Sequence, residues 1–298
     1  MTCVSCASSE TGARRPARGQ GPRGSSGPRS APARRAASQY DPIAELYDGY
    51  PGNYLEDILF FVEEARVARP RPVLEIGVGT GRLAFCLASV GIGVVGIDNS
   101  PAMLRVLARR RAGLSDLPGQ VRALAADVRA FALRARFPLA IVPFRAFLHL
   151  LTRSDQRRAL RAIRRHLEPG GRLVMSFFVP PPDLLSRGRT DRREMARFAA
   201  PEGDGEVVAF DWAEFVPARR RVISHITYEW RGAGGLATRY LQHDVVARYA
   251  FPEEIPPLLE GCGYRVVAAY GGFDRSPLTP ESREQIWVAE ALGRPVTH

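Results

Sequence analysis

The segment Val73-Leu-Glu75-Ile-Gly77-Val-Gly79-Thr-Gly81-Arg82 constrains the chemistry of this sequence more than any other. An apolar run of strand length feeds a Gly-x-Gly-x-Gly turn, and a helical pattern opens at Arg82. Glycines permit the tight turn and let backbone come close to a ligand, with helix N–H groups pointing into the same crevice. A dinucleotide fingerprint would need Gly or Ala at position 82, where this chain carries Arg82, so the spacing speaks against a nicotinamide cofactor. Asp98 closes the next β-like run, 17 residues after Gly81, where a carboxylate can accept both hydroxyls of a ribose. Asp127 closes the third run. Ligands of a parallel sheet sit outside the carboxyl ends of its strands, so Glu75, Asp98 and Asp127 are expected in register along one rim. Beyond a fourth run, in Val142-Pro-Phe144-Arg-Ala-Phe147-Leu-His149, His149 titrates in the range that suits proton transfer.

The elements that must hold these residues follow from periodicity. Leu55, Ile58, Leu59, Val62 and Ala65 recur at helical spacing and predict a helix over about 53–68, ended by Pro70 and Pro72. Strands are expected at Val73–Ile76, Gly93–Ile97, Val121–Ala125, Leu139–Val142 and Arg172–Phe178, and helices at Arg82–Ser89, Pro101–Arg111 and Ser154–Leu167. This alternation means βαβ units: an α/β fold with a Rossmann-like, doubly wound, mostly parallel sheet. After Phe178 three longer β-like runs, Glu206–Phe215, Arg220–Trp230 and Leu236–Tyr249, predict an antiparallel meander. In its second run Val222, Ile226, Tyr228 and Trp230 share an apolar face expected to pack down, and the His225/Glu229 face is expected to be solvated. The α/β pattern resumes with a helix near Pro252–Gly261 and strands at Tyr264–Tyr270 and Gln285–Ala291, so the meander reads as an inserted cap at about 183–250 within a domain spanning 40–292.

Composition bounds the rest. Residues 1–39 hold seven Arg and one Glu among Gly, Pro, Ser and Ala, too few large apolar side chains to offset ordering entropy, and a disordered tail is expected there, with a short second tail at 293–298. That segment carries +6 of the net +11; all 42 basic residues are Arg, which fits codon bias rather than selection for phosphate contacts, so a nucleic-acid partner is not expected. The longest largely apolar run, Leu83 to Ile97, is 15 residues and a spanning helix needs about 20, so no membrane crossing is expected. Four scattered cysteines and no apolar leader suggest the reducing cytoplasm, and the lone Cys3-Val-Ser-Cys6 pair suggests no metal.

The motif order Glu75-Ile-Gly-Val-Gly-Thr-Gly81, Gly96-Ile-Asp98-Asn99-Ser100-Pro-Ala-Met103, Ala126-Asp127-Val128 and Leu167-Glu-Pro-Gly-Gly171 resembles the class I S-adenosylmethionine-dependent methyltransferases over roughly residues 40–180 and the final strands. The lead-in Tyr40-Asp-Pro-Ile-Ala-Glu-Leu-Tyr47-Asp and the inserted meander resemble the small-molecule branch, which includes glycine N-methyltransferases and amino-sugar N,N-dimethyltransferases. The resemblance implies S-adenosyl-L-methionine as cofactor, with Glu75, Gly81 and Asn99 among the residues that bind it, Gly77 and Gly79 bordering its methionine portion, Asp98 holding the ribose, Asp127 and the Val128 amide meeting the adenine, and Met103 packing on the adenine ring. It implies Tyr47 reaching over the cofactor and His149 near the methyl acceptor, a small molecule methylated on N or O. The loop Gly271-Gly-Phe273-Asp274 is expected to help Tyr47 and His149 enclose that acceptor. Phe144-Arg145 stands where the branch commonly has small polar residues, so acceptor contacts do not carry over there. RNA or protein methylation, and binding of the cofactor without catalysis, remain the alternatives.

Overall fold

Strand β1 (Val73–Ile76) is buried at all four positions, as a strand covered on both faces must be. It pairs in parallel with β2 (Val94–Asp98) on one side and with β4 (Phe137–Val142) on the other. Beyond β2 lies β3 (Val121–Ala125); beyond β4 lie β5 (Leu167–Phe178), β11 (Glu284–Ala291) and β10 (Tyr264–Tyr270) in that order. Only β11 runs against the rest, pairing antiparallel with both β5 and β10. Strand β10 therefore runs with the parallel set and ends on the same edge. These positions belong to a computed structural model that describes residues 38–49, 55–203, 205–232 and 234–293. The tails expected at 1–39 and 293–298 lie outside the described residues, except that Ser38 is buried, Gln39 is hydrogen-bonded into the fold and Gly293 is described.

Helices α1 (Glu56–Arg66), α2 (Arg82–Ser89) and α3 (Pro101–Ala112) cover one face, where Phe60, Phe61, Leu83, Leu87 and Leu107 join Val73, Leu139, Ile141, Val174 and Ile286 in one core. Helices α4 (Arg153–Arg165) and α6 (Ile255–Glu260) cover the other, with Leu160, Ile163 and Leu259 against Leu74, Ala140 and Leu173. Two caps set the helix starts: Ser100 Oγ accepts from Met103 N at 3.1 Å ahead of Pro101, and Thr152 Oγ1 accepts from Asp155 N at 3.0 Å. Because the chain passes from β1 outward to β3 and returns to β4 on the opposite side, the crevice between the loops after β1 and β4 is the topological switch point where α/β sheets take ligands.

The inserted segment holds α5 (Pro182–Arg187) and one strand more than its sequence suggested: β6 (Arg193–Ala199) precedes β7 (Glu206–Val216), β8 (Arg221–Arg231) and β9 (Ala237–Arg248) in a four-stranded antiparallel sheet. Strand β6 is an edge strand rich in charge, so its pattern lacks the apolar alternation that marks the others. Val222 and Tyr228 of β8 are buried as expected, packing with neighbouring strands on Ile43 and Leu46 of the lead-in segment and on Tyr249. The opposite face differs from expectation. Glu229 is 9% exposed between Arg192 and Arg231, while His225 stacks on Trp212 at 3.9 Å and meets Asp244 at 2.8 Å. Cross-strand partners, invisible to the periodicity of one strand, bury Glu229 and cover His225 in part.

Gly96 marks where the sheet and the glycine loop meet. A Cβ there would lie 2.6 Å from the Val78 side chain, which packs directly over β2. Gly96→Ala should therefore lower stability by about 1–3 kcal/mol, the usual range for overpacking a fitted site. A denaturant midpoint shifted downward with an unchanged m-value is the result expected.

Candidate functional site

The turn after β1 uses the left-handed region three times: Gly77, Gly79 and Gly81 have φ of +73°, +54° and +89°. At Gly77 a Cβ would come within 2.8 Å of Ala146 Cβ in the loop after β4, so the crevice is narrow there. At Gly79 a Cβ would meet nothing nearer than the Gly77 carbonyl at 3.9 Å. Gly79 thus faces open space in a conformation that only glycine adopts at no cost. Its N–H donates to Asp98 Oδ2 at 2.8 Å, and Ser100 N–H donates to Asp98 Oδ1 at 2.8 Å, tying the loop after β1 to the loop after β2. Burial pushes the Asp98 pKa up, and the backbone N–H groups of Ser100, Gly79 and Asn99 work against it. A carboxylate offers about four lone-pair sites, so two backbone bonds leave capacity for ligand hydroxyls.

Glu75 lies beneath this turn, 2% exposed, and its Oε2 has no hydrogen-bond partner among the described residues. Burial raises its pKa to about 8; nearby Arg82 lowers it, and Asp57 and Asp98 raise it. Burial therefore favours the protonated form of this carboxyl at the floor of the crevice. A ligand bringing a cation or an N–H donor would satisfy the orphaned oxygen and favour the carboxylate. Arg82, whose identity excluded the dinucleotide pattern, forks onto Asp57 of α1 at 2.8 and 2.6 Å and lies over the Phe144 ring at 5.0 Å. Asp57 is fully buried and was not picked out from the sequence; only its contact with Arg82, 25 residues on, reveals it.

The three rim acids stand in steps rather than level. Glu75 pairs with Gly96, Asp98 with Ala125, and Asp127 lies two residues past Ala125. Each acid is thus two residues further along than the last, about 6–7 Å at strand rise, which suits an extended ligand crossing the rim. Asp127 is engaged by Arg129, whose Nε and Nη2 approach it at 2.9 and 2.6 Å and whose Nη1 reaches Asp155 at 3.2 Å. Val128 is half-buried beside it, and Asn99 is exposed. Met103 is 2% exposed and packs with Ala44, Ala102 and Val106 beneath Tyr40 and Tyr47.

Residues 38–49 clamp both ligand-side loops. Asp41 accepts from Ser100 Oγ at 2.6 Å; Asp48 accepts from Thr80 Oγ1 at 2.6 Å and from Arg110 Nη1 at 2.8 Å. His149 is built into the same segment. Gln39 pairs with the Val246 backbone of β9 through both ends of its amide, Oε1 accepting at 2.9 Å and Nε2 donating at 3.2 Å, which fixes the amide orientation. His149 Nδ1 lies 2.7 Å from Gln39 Nε2 and 3.2 Å from the Val246 carbonyl oxygen, and Nε2 lies 2.8 Å from the Tyr40 hydroxyl, so both ring nitrogens have a partner in either tautomer. Burial pushes the His149 pKa down. His149 is accordingly a neutral imidazole with both nitrogens engaged. Tyr40, which the sequence left unselected beside Tyr47, is the residue in contact with it; Tyr47 packs edge-on to Tyr40 at 5.6 Å. Phe273 packs on Phe60 and Phe61 of α1 at 5.9 and 6.3 Å.

Comparison with known proteins agrees with this geometry. Residues 73–171 match the methyltransferase domain family. The chain is 25% identical to the cypemycin N-terminal methyltransferase of a Streptomyces species, over 86% of this chain and 95% of that one. The solved structure of the CcbJ methyltransferase from Streptomyces caelestis superposes with a TM-score of 0.70 at 26% identity, covering 86% of this chain and 99% of the other. The sugar N-methyltransferase KedS8 from a Streptoalloteichus species shares the fold, with a TM-score of 0.64 at 21% identity over 90% of this chain and 99% of that one.

Glu75 gives a signed test. Its proton is retained in the folded state above the pH at which an unfolded Glu ionises, so the penalty for burying it grows as pH rises from about 4.5 and levels near pH 8. Glu75→Gln, which needs no proton, should be more stable than the parent in the absence of ligand. The gap in melting temperature should widen from about pH 5 to about pH 8.

Proposed function

As an S-adenosylmethionine-dependent methyltransferase, this chain must present a nucleophile to a bound sulfonium, and we propose that the nucleophile is the neutral nitrogen of an aliphatic amine on a small molecule or peptide terminus. The observation that carries the reading is the state of His149. Burial holds its pKa down, and both ring nitrogens meet protein groups, Nδ1 facing Gln39 and the Val246 carbonyl and Nε2 facing Tyr40, so neither is free to take a proton from a substrate. A neutral amine needs no base before it attacks, whereas an alcohol does. The names of two relatives, an N-terminal methyltransferase and a sugar N-methyltransferase, support an amine. RNA as acceptor has no comparable support.

The cofactor supplies an activated methyl group, and the chain supplies binding, alignment and exclusion of water. Glu75 takes the amino group of its methionine end, the Gly77–Gly81 turn lies along that end, Asp98 holds the ribose, and Met103, Asp127 and Val128 border the adenine. Tyr47 packs over this crevice with Tyr40, while His149 holds the Tyr40 hydroxyl in place. Bound there, S-adenosylmethionine would supply a methyl group on sulfonium sulfur to the acceptor nitrogen, the sulfide being the leaving group and the surplus amine proton passing to solvent. Proximity of this kind can contribute about 7–11 kcal/mol to the barrier. No helix among the described residues is long and apolar enough to cross a membrane. Free thiols at Cys86 and Cys262 accord with placement in the cytoplasm.

Three measurements check this reading. Asp98→Ala should weaken S-adenosylmethionine binding by about 1.5–3 kcal/mol in calorimetry, the range for a hydrogen bond to a charged group. In the parent, that binding should tighten as pH approaches 8 and release a proton, seen as an enthalpy that varies with buffer; Glu75→Gln should abolish the release. With methyl glucosaminide and methyl glucoside as paired acceptors, label from the cofactor should pass to the amine and not to its hydroxyl counterpart. Equal transfer to both would overturn the amine reading while leaving cofactor binding intact.

A further inference from the structure

The rim holds a second orphaned carboxylate. Glu284 opens β11 and pairs across the sheet with Phe178, the last residue of β5. One of its oxygens is held by Arg145, and Oε2 is buried with no hydrogen-bond partner among the described residues. Its side chain is 16% exposed, and Oε2 is the part turned away from solvent. Glu284 sits on the same face of the sheet as Glu75, since Glu75 pairs with Ile141, Ile141 with Val174, and Phe178 lies four residues past Val174. That places it about 13 Å further along the strands and about 14 Å across them. It is a separate position from the cofactor floor, at the strand ends flanking the switch-point crevice.

The loop that delivers Arg145 is strained to do so. Phe144 and Arg145 are consecutive non-glycine residues at φ +48° and +64°, a left-handed pair that survives only where the surroundings impose it. The guanidinium lies over Phe178 at 5.4 Å, and the next residue, Ala146, closes on Gly77. Phe144 in turn lies under Arg82, which forks onto Asp57. Glu284, Arg145, Phe144, Arg82 and Asp57 thus form one connected rim beside the crevice. Burial raises the Glu284 pKa, Arg145 lowers it, and Glu56 and Asp57 of α1 raise it.

We propose that Glu284, held by Arg145, recognises the acceptor: Oε2 accepts a hydrogen bond from a hydroxyl or N–H that the acceptor carries away from its reacting nitrogen. This rests on the amine reading above and names the substrate class more narrowly, as an amine bearing further hydrogen-bond donors. Arg145 fixes the carboxylate and leaves one oxygen for the ligand. An acceptor without such a donor leaves that oxygen unmet, so the site discriminates against it. Sugar hydroxyls and peptide N–H groups both offer the chemistry.

The test compares methyl glucosaminide, dialanine and cyclohexylamine as acceptors for labelled cofactor, with the parent, Glu284→Gln and Glu284→Asp. In the parent, kcat/KM for one of the donor-bearing amines should exceed that for cyclohexylamine by about ten- to hundredfold, the value of one hydrogen bond to a charged group. The amine that shows the gain identifies its source as sugar or peptide. Glu284→Gln should collapse the ratio to within about twofold, through KM rather than kcat, because an amide can turn only one acceptor to the ligand and loses the charge. Glu284→Asp should retain part of it. Calorimetry with S-adenosylmethionine, unchanged in both variants, shows that the fold and cofactor site persist. A ratio that survives Glu284→Gln, or a parent that treats all three amines alike, overturns the assignment and leaves the amine reading standing. A parent that methylates none of the three overturns both.

Discussion

A carboxyl group sealed under a glycine turn, with one oxygen unmet, is the constraint around which this molecule is arranged. Leaving a buried polar atom without a partner costs about 1–3 kcal/mol. Glu75 is tolerated because Arg82 stands beside it and is itself locked onto Asp57 of α1. Breaking such a buried pair by removing one partner commonly costs about 3–5 kcal/mol, so α1, the glycine turn and β1 stand or fall together. Phe60 and Phe61 of the same helix anchor Phe273, and Arg275 lies over Phe60 and pairs with Glu64, which extends the dependence to the loop after β10. The protein thus keeps, at the base of its crevice, a group whose environment improves when a cationic ligand arrives.

The lead-in segment joins the cap to this crevice. Ile43 and Leu46 pack upward with Tyr228, Val207 and Val245 of the cap sheet, while Ala44 packs downward on Ala102, Met103 and Val106 of α3. Gly49 passes so close to Phe198 that any side chain there would collide with the ring. Asp41 and Asp48 fasten the segment to the loops after β2 and β1, and Gln39 fastens it to β9 and to His149. A short stretch of chain without long regular structure therefore ties together the cap sheet, α3, the loops after β1 and β2 and the His149 turn. Such a stretch is held by its side chains, because its own backbone bonds are too few to order it.

Two buried carboxylates with unmet oxygens, Glu75 and Glu284, occupy opposite flanks of the switch point. Each has an arginine neighbour held by other contacts: Arg82 by Asp57 and Phe144, Arg145 by Phe178. The absence of lysine suits this arrangement, since a planar guanidinium can fork onto one group and lie over an aromatic ring while its charge acts on a second. A compact ammonium does only one of these at a time.

Local periodicity determined most of the architecture. The strands at Val73–Ile76 and Val121–Ala125 and the helix at Arg82–Ser89 lie where their apolar spacing put them, and the glycine turn was legible from residue types alone. The cap was legible as antiparallel because its strands are long and alternating; β6, a charged edge strand, was not. What no local pattern carries is which distant groups meet. His149 read as a proton-transfer residue because its type allows it, and became a fixed neutral ring because Gln39 and Tyr40, 110 and 109 residues away, occupy both nitrogens. Arg82 read only as a mismatch to a dinucleotide loop until Asp57 gave it a partner. Glu284, 139 residues from Arg145, had no signal at all. Spacing along a chain reports the period of one element, whereas protonation, pairing and unmet hydrogen bonds depend on neighbours that only the packed sheet brings within a few ångströms.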